Sequence, residues 1–112
     1  MISAGDDAVV GANGRDTIDA GTGADVVSAG EGDDTADAGD GDDIVLAGGN
    51  DDTVRAGAGD DRVEGGEGRD RIWGEDGDDV LHGQGGDDEM DGGAGTDVID
   101  GGNGRNTIRD VP

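Results

Sequence analysis

Eleven aspartates recur at intervals of nine residues: Asp7, Asp16, Asp25, Asp34, Asp43, Asp52, Asp61, Asp70, Asp79, Asp88 and Asp97, with Asn106 closing the series. Carboxylates on a flexible, glycine-rich background suit one chemistry above others, the supply of oxygen ligands to a hard cation. Competing chemistries find little support. The chain has no Cys, so neither a disulfide nor a thiolate metal site can form. Its one histidine, His82, falls where it is expected to point outward from a strand into solvent. No carboxylate is paired with a nucleophile or set in an apolar pocket, so an enzyme is not expected. The run Asp37, Asp40, Asp42 starts like an EF-hand loop, but Asp42 stands where that loop requires Gly and the closing Glu is missing.

The spacing extends to whole blocks. Cut every nine residues from Ile2, the chain reads ISAGDDAVV, GANGRDTID, AGTGADVVS, AGEGDDTAD, AGDGDDIVL, AGGNDDTVR, AGAGDDRVE, GGEGRDRIW, GEDGDDVLH, GQGGDDEMD, GGAGTDVID and GGNGRNTIR. The register runs to Arg109 without insertion or deletion, giving one expected domain over 2–109 and a short tail over 110–112. The fourth position is Gly in every block but one, where Asn50 stands. The eighth position is apolar throughout: Val9, Ile18, Val27, Ala36, Val45, Val54, Val63, Ile72, Leu81, Met90, Ile99 and Ile108.

Each column implies an element. Gly, with Asn as its best substitute, marks a tight turn needing positive φ. The three residues around position eight form a short strand with the middle side chain turned inward. Two blocks then close one coil of eighteen residues, odd blocks building one parallel sheet and even blocks the other. The position-eight column is expected to be the whole core. Such a core is too thin to hold a glycine-rich chain by burial alone, and 27 Gly, 1% aromatics and a net charge of −23 describe a chain that is disordered when unassisted.

Stacking sets each column Asp beside its equivalent eighteen residues on, such as Asp7 beside Asp25. Two carboxylates about 4.8 Å apart repel by about 1 kcal/mol even in water. A cation between the turns removes that repulsion, and two successive turns offer carboxylate and carbonyl oxygens enough for Ca²⁺, whereas Mg²⁺ demands a tighter octahedron. Six turns per edge leave five gaps, so the ceiling is about ten ions, which would bring −23 to −3.

The blocks fit G-G-x-G-x-D-x-U-x over residues 2–109 and so resemble the haemolysin-type calcium-binding nonapeptide repeats, or repeats-in-toxin. The resemblance implies an all-β fold, a right-handed parallel β-roll (a two-sheet β-solenoid) of about six coils. It implies that the first six residues of a block bind calcium and that the ligands are the eleven aspartates above plus turn carbonyls, with the Asn106 rung weak or absent. It further implies a calcium-triggered folding module of an exported bacterial protein, secreted by a type I route and ordered at extracellular calcium. The opening MISAGDDAVV has no signal-peptide character and no type I signal is evident at the end, so a fragment (an excised module) or a short stand-alone array is expected.

Glu75 and Gln84 depart from the second-position Gly, as do Ser3 and Ala12, and Arg15, Arg69 and Arg105 stand at the fifth position where Asp is common. A polyanion without Lys should repel nucleic acid and anionic membranes, and no apolar run is long enough for a membrane span. Odd strands point Val10, Val26, Ile44, Leu46, Val80 and Val98 outward, a candidate face for adhesion or self-association around Ile44 and Leu46; the coil ends are a second candidate. Ice binding is not expected, because position three forms no rank of Thr or Asn.

Overall fold

A computed structural model describes residues 5–109. The first block's Ile2 and Ser3 and the 110–112 tail lie outside the described residues. Twelve three-residue strands follow one another at nine-residue intervals. They are β1 (Ala8–Val10), β2 (Thr17–Asp19), β3 (Val26–Ser28), β4 (Thr35–Asp37), β5 (Ile44–Leu46) and β6 (Thr53–Arg55). The second half holds β7 (Arg62–Glu64), β8 (Arg71–Trp73), β9 (Val80–His82), β10 (Glu89–Asp91), β11 (Val98–Asp100) and β12 (Thr107–Arg109). Every strand occupies positions seven to nine of its block, and among the described residues there is no helix.

The odd strands form one six-stranded sheet in the order β1-β3-β5-β7-β9-β11, and the even strands form the other. Pairing is parallel with a constant offset of eighteen residues, as in Val9 on Val27 and Ile18 on Ala36. The ladder reaches past the strands at both ends. The N–H of Thr35 donates to the Asp16 carbonyl, and the N–H of Ala29 donates to the Leu46 carbonyl, both at 2.9 Å. Each strand is therefore a five-residue alternation, Asp-x-U-x-Ala/Gly, with three side chains facing inward.

That alternation corrects the expected core. Position eight is not its only contributor: Ala20, Ala29, Ala38, Ala47 and Ala56, at the first position of their blocks, are fully buried beside it. An Ala-Gly pair opening a turn reads as loop, yet the Ala is the last inward residue of the preceding strand. The second inward position is Ala after Ile18, Val27, Ala36, Val45 and Val54, and Gly after Val63, Ile72, Leu81, Met90 and Ile99. In that later half a Cβ on Gly74 would lie 2.5 Å from Asp79 Oδ2, which leaves no room for Ala. Ile108, covered by a coil on one side only, is 46% exposed rather than inward and buried.

The turns owe their shape to two positions. At position four, Gly41 has φ 114° and Asn50 adopts 77°, and a Cβ on Gly41 would run into the Gly23 carbonyl of the coil before. At position two, Gly39 has φ 91°, and Glu75 and Gln84 are held at 72° in the same left-handed region. A side chain there costs about 1–2 kcal/mol, of which the extra unfolded-state freedom of Gly cancels about 0.5–1. Glu75→Gly should therefore raise the stability of the calcium-loaded fold by up to about 1 kcal/mol in urea denaturation. Glu75→Ala, which keeps a Cβ, serves as the control; a Gly variant no more stable than the Ala variant would show that the turn is unstrained.

Candidate metal centre

The Asp column enters each strand one residue before its first ladder pair, so the side chain turns inward at the mouth of the turn. Asp25, Asp34, Asp43, Asp52, Asp61, Asp70, Asp79 and Asp88 are buried, and Asp7, Asp16 and Asp97 are half-buried nearer the two ends. The odd aspartates stack along one edge and the even ones along the other. The expected pairing at eighteen-residue spacing is present, with a hydrogen bond that pattern reading did not reveal. Each column carboxylate from Asp25 onward accepts, through Oδ1, the backbone N–H of the column Asp one coil earlier, at 2.7 to 2.9 Å.

The second oxygen is the unusual one. Oδ2 of all eight buried aspartates is inaccessible to solvent and accepts no hydrogen bond. A buried carboxylate oxygen without a partner is costly, and eight in two rows demand a common compensating group. Among the described residues no three acidic or histidine side chains converge into a cage. A cation held here must therefore draw on main-chain carbonyls as well.

Asn106 shows which carbonyls face that oxygen. Its Oδ1 accepts the Asp88 N–H at 2.9 Å, so it takes the place of a column Asp in the ladder. Its Nδ2, standing where Asp has Oδ2, reaches the carbonyls of Gly102 at 3.3 Å and Asn103 at 3.5 Å. In the Asp16 block the second oxygen instead accepts the Ala12 N–H at 3.1 Å. Carboxylate and turn-carbonyl oxygens are the donor types that Ca²⁺ accepts.

A second, outer ladder escaped the pattern reading. Asp6, Asp33, Asp42, Asp51, Asp60, Asp78 and Asp87, at position five, each accept through Oδ1 the position-five N–H of the following coil, at 2.8 to 3.0 Å. The inner ladder points back one coil and the outer one forward. The frequency of Asp at position five was its only trace in the sequence.

The family described as RTX calcium-binding nonapeptide repeat (4 copies) matches residues 2–36, 19–54, 37–72, 46–81, 55–90 and 73–108. These matches span nearly the whole chain. The chain belongs to the RTX calcium-binding nonapeptide repeat family. No curated protein shows a match to it. Membership makes this RTX roll a calcium-binding repeat module, and its two parallel sheets form a β-solenoid of six coils.

Without metal, burial in the RTX roll shifts its central carboxyls toward the protonated form. Burial pushes Asp61 and Asp70 up to about 8, Asp52 to about 7, and Asp43 and Asp79 to about 6, from an ordinary 3.8. For Asp61 the hydrogen bond from the Asp43 N–H opposes this rise, and the charges of Asp79 and Asp43 reinforce it. Burial raises Asp88 as well. Because these values lie above those of the unfolded chain, the folded form holds protons that the unfolded form has released. That stability is complete below about pH 4 and is lost as the pH climbs through 6 to 8. In a chelator, acidification from about pH 8.5 to about pH 4 should accordingly increase β-structure by circular dichroism. With calcium the dependence reverses, since the ion and the proton compete for the same oxygens. A β content in chelator that is highest at alkaline pH would refute the burial of these carboxyls in the metal-free fold.

Proposed function

We propose that the column aspartates Asp7, Asp16, Asp25, Asp34, Asp43, Asp52, Asp61, Asp70, Asp79, Asp88 and Asp97, with the carbonyls of their turns, hold up to about ten calcium ions, and that this binding folds the chain. The observation that carries the reading is the row of buried, unpartnered Oδ2 atoms. Asn106 sharpens it from within the same molecule. An Asn satisfies the backbone ladder as well as an Asp does, so hydrogen bonding alone gives no reason for carboxylates at the other positions. Only the second, charged oxygen differs, and a cation is what uses it.

Coupling to folding has the same source. The site exists only when coils stack, and stacking without cations places like charges at strand spacing along both edges. The apolar columns are narrow, consisting of Val, Ile and Ala with one Leu and one Met. Low calcium then leaves the chain unfolded, and the calcium concentration outside a cell orders it. The chain acts as a binding and folding module rather than a catalyst, in an exported protein carried by a type I route. Titration with Ca²⁺ should convert a coil spectrum to a β spectrum in circular dichroism, with heat uptake or release saturating at no more than about ten ions per chain, while equal Mg²⁺ leaves the coil spectrum unchanged. A β spectrum that is the same in calcium and in chelator at neutral pH would eliminate the folding switch.

A second reading rests on the outer face of the odd sheet. Val26 and Ile44 are ladder partners, 46% and 43% exposed, and Leu46 beside them is 39% exposed. Uncharged residues side by side on a polyanionic chain suit adhesion to a partner or to another copy. Replacing Ile44 and Leu46 by Thr should abolish any calcium-dependent self-association seen in sedimentation; wild type and variant sedimenting alike would remove this reading.

A further inference from the structure

Within the turns, basic residues are confined to one edge of the roll; Arg62, on odd strand β7, lies outside them. Over positions one to six, the odd turns hold thirteen carboxylates and no basic residue. The even turns hold ten carboxylates and three arginines, Arg15, Arg69 and Arg105, so the two edges carry −13 and −7. The arginines lie among the acids of their own edge. Arg15 Nη2 stands 4.0 Å from Asp33 Oδ2. Arg69, Arg71 and Arg105 line a cleft of about 320 Å³ together with the column residues Asp52 and Asp88. The even edge also ends in Asn106, whose amide serves the turn carbonyls of Gly102 and Asn103 without a metal.

The consequence for divalent ions follows from charge alone. Five ions, one for each gap between six stacked turns, bring +10 to an edge. The odd edge would move from −13 to −3, while the even edge would overshoot from −7 to +3. The last even-edge ions must therefore enter against the positive charge of these arginines. Repulsion between a divalent ion and an arginine at about 7 Å weakens binding by up to about tenfold at low salt, and little of this survives at about 1 M salt, where the screening length is about 3 Å.

The geometry points to two classes of calcium site: a tight class along the odd edge, and a weaker, salt-sensitive class along the even edge, where Arg15, Arg69, Arg105 and the Asn106 amide stand in for part of the metal. This rests on the calcium reading above and adds the division between edges. The odd edge then sets whether the chain folds, and the even edge responds to calcium over a higher range.

Isothermal titration of the full chain with CaCl₂ tests the division. Wild type should show two affinity classes. Asp61→Asn, on the odd edge, should remove ions from the tight class, and Asp70→Asn, in the same coil on the even edge, from the weak class. Two surface variants that leave the column intact should move the classes in opposite directions at low salt. Arg69→Gln should tighten the weak class by about threefold or more, and Thr96→Arg, which places a cation at the equivalent position of the odd edge, should weaken the tight class to a similar degree. Both effects should fade at about 1 M salt. A single class of equivalent ions, or calcium affinities unchanged in both arginine variants, overturns the two-edge proposal and leaves calcium binding standing. No calcium uptake at all overturns both.

Discussion

An eighteen-residue coil stacks every side chain on its own equivalent, and that identity of neighbours governs the whole molecule. For an apolar position the result is favourable, a column of Val, Ile and Ala sealed between two sheets. For an ionised position it is unfavourable, since a carboxylate meets another carboxylate at strand spacing on both sides. The roll answers half of this difficulty internally, because each Oδ1 accepts a backbone N–H from the coil before. It leaves the other half, the buried Oδ2, to something outside the polypeptide.

The glycine-rich turn follows from the same constraint. The backbone passes through left-handed conformations at positions two and four, and a Cβ at position four would run into the coil before. A turn built to gather oxygens has no side chains with which to form a core of its own. The apolar columns consequently stay two residues wide per strand, and the fold remains dependent on what the oxygens bind. Thin core, flexible turn and high negative charge are one solution seen from three sides.

Much of this was legible before any coordinates. The apolar eighth position and the unbroken nine-residue register specified the strands, their parallel pairing and the division into odd and even sheets. The Asp column marked the side chains that the structure stacks in two buried rows. Three features were not legible, each for a physical reason. The burial of Ala29 or Ala47 depends on how far the sheet ladder runs past the strand, and Ala preceding Gly carries no signal of that. The hydrogen bonds of the inner and outer Asp ladders join residues in different coils, and side-chain direction at a turn mouth is not encoded in residue type. The partial exposure of Ile108 arises from its place in the stack, although its column position is the same as that of Ile72.

The opposite directions of the two ladders bear on how such an array can change length. A coil passes its inner carboxylates backward and, where position five is Asp, its outer ones forward, so the front of one coil complements the back of the next and a unit of two blocks can be duplicated or lost without changing that fit. One block alone cannot. Removing nine residues would exchange odd for even beyond the deletion, setting the arginine-bearing edge on the purely acidic one and the threonine-lined sheet on the valine-lined one. Growth or shrinkage in steps of eighteen would in that sense keep the two unlike edges apart, whereas a step of nine would mix them.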